Sequence, residues 1–454
     1  MELECFKAYD IRGRIGDTLD DNIAWHTGKA FAEVLGAKSV VIGFDARESS
    51  PGMAAALASG LSAGGANVST LGLCGTEEVY FATANGQFDG GIMVTASHNP
   101  IDYNGMKLVG AGSRPIDPDG AFREIKNQTE ASYEKNAITN GGEATALDCR
   151  KDYARHVASF ADLSAMGATK VLFNAGNGAA GVTADAVLAE LRATGAALEP
   201  IRQFWTADAT FPNGIPNPLL PENRSATADA VRDSGAALGV AWDGDFDRCF
   251  FFDADGAFVD GEYVVALVAQ AFLASDPGAA IVHDPRVIWA TQDTVDAAGG
   301  RSLVSKTGHA FLKGAMREGG AVYGGEMSAH HYFRDFFYCD SGMIPWIKVL
   351  EFMTTSGATL SELVANLRAK YPSSGEINFR VKDVAASISK VLDAFEPEAQ
   401  EISRLDGVSL DFGDWRMNLR ASNTEPLLRL NVETRGDRAL LETQVAEIRK
   451  LIET

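Results

Sequence analysis

Basic residues are in short supply. Lys and Arg number 40 against 61 Asp and Glu, a formal net charge of −21, so the chain lacks the basic footprint that nucleic acids and anionic membranes require. An anionic ligand would have to be met by locally concentrated cations, which makes the few well-placed Arg and Lys residues candidates. Cysteine is scarce and scattered: Cys5, Cys74, Cys149, Cys249 and Cys339 form no CxxC pair and no zinc spacing, so reduced, mostly buried thiols are expected. No apolar run reaches the roughly 18 residues of a membrane span. The opening "MELECFKAYDIRG" carries acidic residues and no apolar h-region, so it does not read as a secretory signal, and a cytoplasmic protein is expected. Low-complexity tracts and short fixed-period repeats are missing as well.

What is present is ordinary globular material, 46% hydrophobic and 22% charged over 454 residues, more chain than one core serves, so three or four domains are expected. Strand-like runs alternate with helix-like segments: "SVVIGFD" (39–45), "GGIMVTA" (90–96), "TKVLFNAG" (169–176), "ALGVAWDGD" (237–245) and "AAIVHDP" (279–285). This alternation points to parallel-sheet α/β architecture, with polar or glycine-rich turns at the strand ends where such sheets bind ligands. A polar, linker-like stretch (127–146), the turn "DADGAF" and the segment "YPSSGE" divide the chain into 1–150, 151–254, 255–370 and 371–454. The first three share a βα style and the fourth differs.

Several strand ends carry chemistry. In "GGIMVTASHNPIDYNGMKLV" (90–109) an apolar run opens into Thr95, Ser97, His98 and Asn99, with Lys107 just beyond; the plain alternative is a helix cap or turn. In "WDGDFDRC" three carboxylates, Asp243, Asp245 and Asp247, fall within five residues at the end of an apolar run. Burying them together is costly without a cation, and hard oxygen donors suit Mg²⁺. An EF-hand is excluded, because Arg248 and Ala254 stand where Gly and Glu are needed. "NAGNGAAG" supplies Gly176, Gly178 and Gly181 as G-x-G-x-x-G after a strand, with Glu199 downstream, so an NAD-dependent oxidoreductase is the rival reading and a tight strand-to-helix turn the plain one.

Further on, "SKTGHAFLK" offers Lys306, His309 and Lys313, and "GGEMSAHHYF" offers Glu326, Ser328, His330 and His331. Histidines in two polar, glycine-marked turns suit acid/base or phosphate work, although a lone histidine is more often structural. "RASNTEPLLRLNVETR" gives Arg420, Ser422, Asn423, Thr424 and Arg429, a phosphate cradle of guanidinium groups, hydroxyls and turn amides, or else a plain hairpin. No G-x-S-x-G elbow is present, which argues against a serine hydrolase.

Taken in order, "FKAYDIRG", "TASHNP", "DGDFDR", "KTGH", "GEMSAH" and "RASNTEP" resemble the α-D-phosphohexomutase superfamily and, within it, the bacterial phosphomannomutases, over essentially the whole chain. The resemblance implies four domains around a central cleft: three related α/β mixed-sheet domains and a C-terminal TATA-binding-protein-like α+β domain. It implies an isomerase that interconverts mannose 6-phosphate and mannose 1-phosphate and supplies GDP-mannose synthesis, with a phosphoglucomutase or dual-specificity enzyme as the alternative. Ser97 matches the family's phosphoserine, and one of its phosphate oxygens would complete a single Mg²⁺ site with Asp243, Asp245 and Asp247.

The resemblance also implies roles for the remaining candidates. Lys107, Arg12, Arg248, His309 and His330 match the catalytic set; Glu326 and Ser328 match sugar-hydroxyl contacts. Arg420, Ser422, Asn423, Thr424 and Arg429 match the phosphate clamp, and Lys306 and Arg286 match other substrate contacts. A hexose 1,6-bisphosphate would serve as intermediate and activator. Partners would be small hexose phosphates, with no nucleic acid or membrane, and the chain would act as a monomer or homodimer. One departure is Ala329, where many members of the family have glycine.

Overall fold

The computed structural model describes residues 2–133, 144–421 and 427–453. The chain forms two compact units. One comprises the chain up to Phe258 together with Asp335–Thr355; the other comprises Val259–Arg334 together with the chain from Ser356 on.

In the first unit, one sheet runs in the order Ile11–Arg14, Tyr103–Gly110, Gly90–Val94, Ser39–Phe44, Asn67–Leu73, Thr145–Ala146. The last four strands are mutually parallel, and Tyr103–Gly110 is antiparallel to its neighbours on both sides. All five residues of Gly90–Val94 are buried, as expected of a central strand covered on both faces. Helices Asp21–Leu35 and Ser50–Ala63 cover one face, with Phe31, Leu57 and Leu61 packed with Ile92 and Val94 in a single core. The four core strands of a second sheet in the same unit run Cys249–Asp253, Leu238–Trp242, Thr169–Asn174, Leu198–Gln203, and of these four only Cys249–Asp253 is antiparallel. Helix Ile344–Ser356 packs here through Trp346, whose ring lies edge-on to Phe173 at 5.0 Å. Its first turn is held by the buried Glu77 carboxylate, which accepts hydrogen bonds from Gly342 N and Met343 N.

The second unit repeats the plan with His331–Phe333, Tyr323–Gly325, Ala280–His283 and Arg301–Val304, again with only the first antiparallel. Numbered from Ser39–Phe44, Thr169–Asn174 and Ala280–His283, the four core strands of each α/β sheet run in the same order: fourth, third, first, second. The C-terminal sheet is different, fully antiparallel in the order Ser373–Arg380, Leu427–Thr434, Trp415–Ala421, Val408–Asp411, Glu401–Ser403. One of its faces packs Leu419, Leu430 and Val432 with residues of helices Val384–Phe395 and Arg438–Glu453.

The five strand-like runs of the sequence are strands, but the sheets are mixed rather than purely parallel. The polar stretch from residue 127 begins inside a helix, Ala121–Ser132, because Phe122, Ile125 and Thr129 recur on its buried side and leave the polar residues outside. Among the described residues no helix is long and apolar enough to cross a membrane.

Candidate active site

In each α/β module the loop from the third strand to the antiparallel fourth carries the polar residues singled out above. In the first it runs between Gly90–Val94 and Tyr103–Gly110 and holds Ser97. Ser97 is buried and has φ +49°, a left-handed backbone that a non-glycine residue adopts at a cost of about 1–2 kcal/mol. Its N–H donates to Thr95 Oγ1 at 2.8 Å, and its hydroxyl donates to Asp243 Oδ2 at 2.7 Å. The Arg248 Nη2 lies 3.2 Å from the same Oγ, and His98 Nδ1 lies 2.9 Å away.

The second loop delivers the aspartates. Asp243, Asp245 and Asp247 are all buried, and one carboxylate oxygen of each lies within 4.8 Å of the others. Gly244 makes the approach of the two loops possible, because a Cβ there would stand 2.7 Å from the Ser97 carbonyl oxygen. Asp243 is paired with Arg248 at 2.8 Å. Lys107, from the antiparallel strand, reaches Asp245 at 2.6 Å and Asp247 at 2.5 Å, and Thr76 donates to Asp245 Oδ2 at 2.5 Å. Asp245 Oδ1 is buried without a hydrogen-bond partner. Converging hard oxygens of net negative charge, one of them unsatisfied, fit a divalent cation such as Mg²⁺.

The local charges set the protonation states. Burial opposes charge on Lys107, but Asp245 and Asp247 outweigh it and raise its pKa, so the side chain is an ammonium across the neutral range. Burial pushes the Asp245 carboxyl up, and Lys107 and the Thr76 hydroxyl pull it below the usual carboxylate range. His98 is lowered well below an ordinary histidine, first by burial and then by the Arg248 and Arg12 guanidinium groups. It is therefore a neutral imidazole, and its Nδ1 accepts from Arg248. Arg12, on the strand beside Lys107, donates to Asn99 Oδ1 at 2.7 Å and to Asp10 at 2.9 Å.

The second unit gathers another set. Glu326 is buried; its Oε1 accepts from Gly308 N at 2.8 Å, and its Oε2 accepts from the Tyr332 hydroxyl at 2.6 Å. Ser328 lies on the same loop, and the His330 ring stacks against Tyr332 at 6.2 Å. His309 opens the helix His309–Gly319, while Lys306 is exposed over the Phe311 ring. Arg286, Arg420 and Arg429 converge on one carboxylate, Glu376, at 3.4, 2.8 and 3.3 Å. Ser422, Asn423 and Thr424 lie outside the described residues.

Models of phosphoglucomutase/phosphomannomutase domains match the chain in four consecutive stretches: alpha/beta/alpha domain I over 3–136, domain II over 151–256, domain III over 260–371 and the C-terminal domain over 376–451. The chain belongs to the phosphoglucomutase/phosphomannomutase family. It is 52% identical over 451 residues to the phosphomannomutase of Salmonella montevideo, covering 99% of both chains. It is 51% identical over 452 residues to "Phosphohexose mutases" of Xanthomonas campestris pv. campestris, covering 100% of both. A solved family protein from Burkholderia thailandensis superposes with a TM-score of 0.85 at 32% identity, over 99% of this chain and 97% of that one.

Nothing in these likenesses supports the oxidoreductase rival, and the glycine run explains itself without a dinucleotide. A Cβ on Gly178 would meet Gly244 O at 2.8 Å, and one on Gly181 would meet Trp205 O at 2.1 Å, so these glycines let protein backbone approach protein backbone. Two functional neighbours escaped the sequence reading. Arg47, 1% exposed, donates to the carbonyls of Ser97, Asn99, Pro100 and Tyr103, and Glu376 gathers the arginines. The one available signal for Arg47 is an Asp-x-Arg directly after an apolar strand, which recurs at Asp284-Pro285-Arg286.

Proposed function

We propose that the chain is a phosphomannomutase that interconverts mannose 6-phosphate and mannose 1-phosphate through phospho-Ser97 and a hexose 1,6-bisphosphate. The observation that carries this reading is the setting of Ser97, a strained, buried serine whose hydroxyl meets Asp243 at 2.7 Å beside the Arg248 guanidinium. A free serine is a poor nucleophile, but as a phosphoserine it needs only positioning and charge neutralisation to donate. The Oγ–P bond breaks as the sugar hydroxyl oxygen bonds to phosphorus, the hydroxyl's proton ending on the freed Ser97 Oγ, and the reverse transfer rephosphorylates Ser97 when the bisphosphate returns its other phosphoryl group.

Arg248 neutralises charge at the Ser97 oxygen, Lys107 balances the aspartates, and Arg12 fixes Asn99 of the serine loop. One Mg²⁺, held by Asp243, Asp245, Asp247 and a phosphate oxygen on Ser97, would supply Lewis-acid polarisation. His309 and His330 complete the catalytic set, and Glu326 and Ser328 take sugar hydroxyls. Lys306, Arg286, Arg420 and Arg429, with Ser422, Asn423 and Thr424, hold the phosphate that is not reacting. A hexose 1,6-bisphosphate acts as activator by restoring phospho-Ser97. The working location is the cytoplasm, the partners are hexose phosphates, the chain is a monomer or homodimer, and the four modules are 1–150, 151–254, 255–370 and 371–454.

A dual-specificity reading has its own support in the Xanthomonas relative's broader name, "Phosphohexose mutases". The experiment is turnover of mannose 1-phosphate and glucose 1-phosphate by the purified protein, with phosphate on Ser97 read by peptide mass. Mannose 1-phosphate turnover that is lost in Ser97→Ala is the expected result. Near-normal activity of that variant, or no turnover of either sugar phosphate, would overturn the reading.

A further inference from the structure

Arg420 and Arg429 stand directly opposite each other across the pair Trp415–Ala421 and Leu427–Thr434, where like charges repel. Two residues beyond Arg429, on the same face, Asn431 lies opposite Glu376 of the strand Ser373–Arg380. The register between these strands shifts between Ser373 and Glu376, and Gly375 in the bulge has φ +63°. Bulges re-aim side chains. This one is pinned by Asn431 Nδ2 donating to Gly375 O at 2.9 Å and by Val432 N donating to Ser374 Oγ at 2.9 Å. The backbone is thus built to aim Glu376 at the two arginines. Arg286 arrives from the other side, already paired with Asp284 at 2.8 Å, and gives its remaining nitrogen to Glu376.

The charge balance has a consequence. Three guanidinium groups against Asp284 and Glu376 leave one net positive charge, and each N–H given to Glu376 is one fewer for an anionic ligand. We propose that Glu376 is a positioning residue and internal competitor of the phosphate clamp: it fixes Arg286, Arg420 and Arg429 around one point and weakens their grip, so that a bound hexose phosphate can leave and turn over. This rests on reading the arginines as a phosphate site.

The test is direct binding of inorganic phosphate to the full-length protein by calorimetry, alongside steady-state turnover. Glu376→Gln keeps the shape and removes the charge, so phosphate should bind about tenfold tighter, the scale of one charge-assisted contact, with KM for the sugar phosphate and kcat both falling. A merely structural carboxylate would instead raise KM. In Arg420→Ala the same Glu376→Gln change should tighten phosphate by a smaller factor, because only Arg286 and Arg429 are then left to be released, and that non-additivity localises the effect to the clamp. Glu376→Asp, which withdraws the carboxylate, should tighten binding by a smaller factor and decides the matter if the glutamine variant does not fold. Unchanged or weaker phosphate binding in the variants would overturn the proposal. Absence of mutase turnover in the parent, with tightening still seen, would remove the mutase reading alone.

Discussion

Replacing Arg47 probes the Ser97 loop without touching any residue that meets substrate. The guanidinium donates to four carbonyls, Pro100 at 2.8 Å, Tyr103 at 3.0 Å, Ser97 at 2.9 Å and Asn99 at 2.6 Å, and its Nε lies 3.4 Å from Asp45. Lysine has three donors on one nitrogen, so Arg47→Lys leaves at least one buried carbonyl unpaired, at a cost of roughly 1–3 kcal/mol. Arg47→Met strands all four carbonyls and the Asp45 charge, and breaking a buried pair alone costs about 3–5 kcal/mol. Much of the stability of an ordinary domain would then be gone.

The lysine variant is the informative one. It should fold, lose amide protection in hydrogen exchange over residues 97–104, keep protection in the helices Asp21–Leu35 and Ser50–Ala63, and lose kcat more than KM, because the loop still binds but no longer holds Ser97 at its strained φ. Parent-like exchange over that loop together with parent-like turnover would refute the reasoning.

Two further outcomes are expected. Chelation should abolish turnover and Mg²⁺ should restore it, since Asp243, Asp245 and Asp247 offer a converging set of oxygens; full activity in metal-free buffer would reject the site. Glu262 is pushed up to about 7, first by burial and then by the neighbouring Asp260. It therefore holds its proton longer folded than unfolded, and its contribution is whole below the ordinary glutamate range and lost as pH rises towards 7, by up to ~3 kcal/mol. Between pH 5 and 8 the melting temperature of the parent should fall with rising pH more steeply than that of Glu262→Gln; equal slopes would show that this group is not responsible.

The parts of the site that could be read in the sequence were those whose chemistry is local. Three aspartates in five residues announce a cation wherever the loop lies, and an apolar run ending in Ser-His-Asn announces a strand end with polar work. Residues acting across the fold left no such trace. Glu376 sits in an undistinguished "SSGE", and its role appears only when the register puts it beside Arg420 and Arg429, residues more than forty positions away. Ala329 shows a different limit. The resemblance marked it as an alanine where many members have glycine, and it looked like one added methyl. Its φ of +71° shows that the difference lies in the backbone, since glycine is the residue that adopts this conformation freely.

The three repeated sheets explain why the glycine run imitated a dinucleotide motif. In the first module the loop after the first strand begins Asp45-Ala46-Arg47. There Asp45 Oδ1 accepts from Arg47 N at 3.0 Å while Oδ2 accepts from Thr95 Oγ1 at 2.7 Å, so the first-strand loop braces the serine loop. The third module repeats it with Asp284-Pro285-Arg286: Asp284 Oδ1 accepts from Arg286 N at 2.9 Å, and Oδ2 accepts from Met327 N at 2.8 Å in the loop that carries Glu326. The second module has no aspartate at that place. Its first-strand loop must support the aspartate loop without adding a fourth carboxylate to three already buried, because like charges in one site raise the cost of ionising all of them. It does so through backbone: Gly176 N donates to Asn174 Oδ1 at 2.8 Å, Gly178 allows contact with Gly244, and Ala179 N donates to Gly244 O at 3.3 Å. Glycines are what such an approach demands. The same residue type serves a pyrophosphate in one protein and a neighbouring metal-binding loop in this one, and spacing alone cannot tell the two apart.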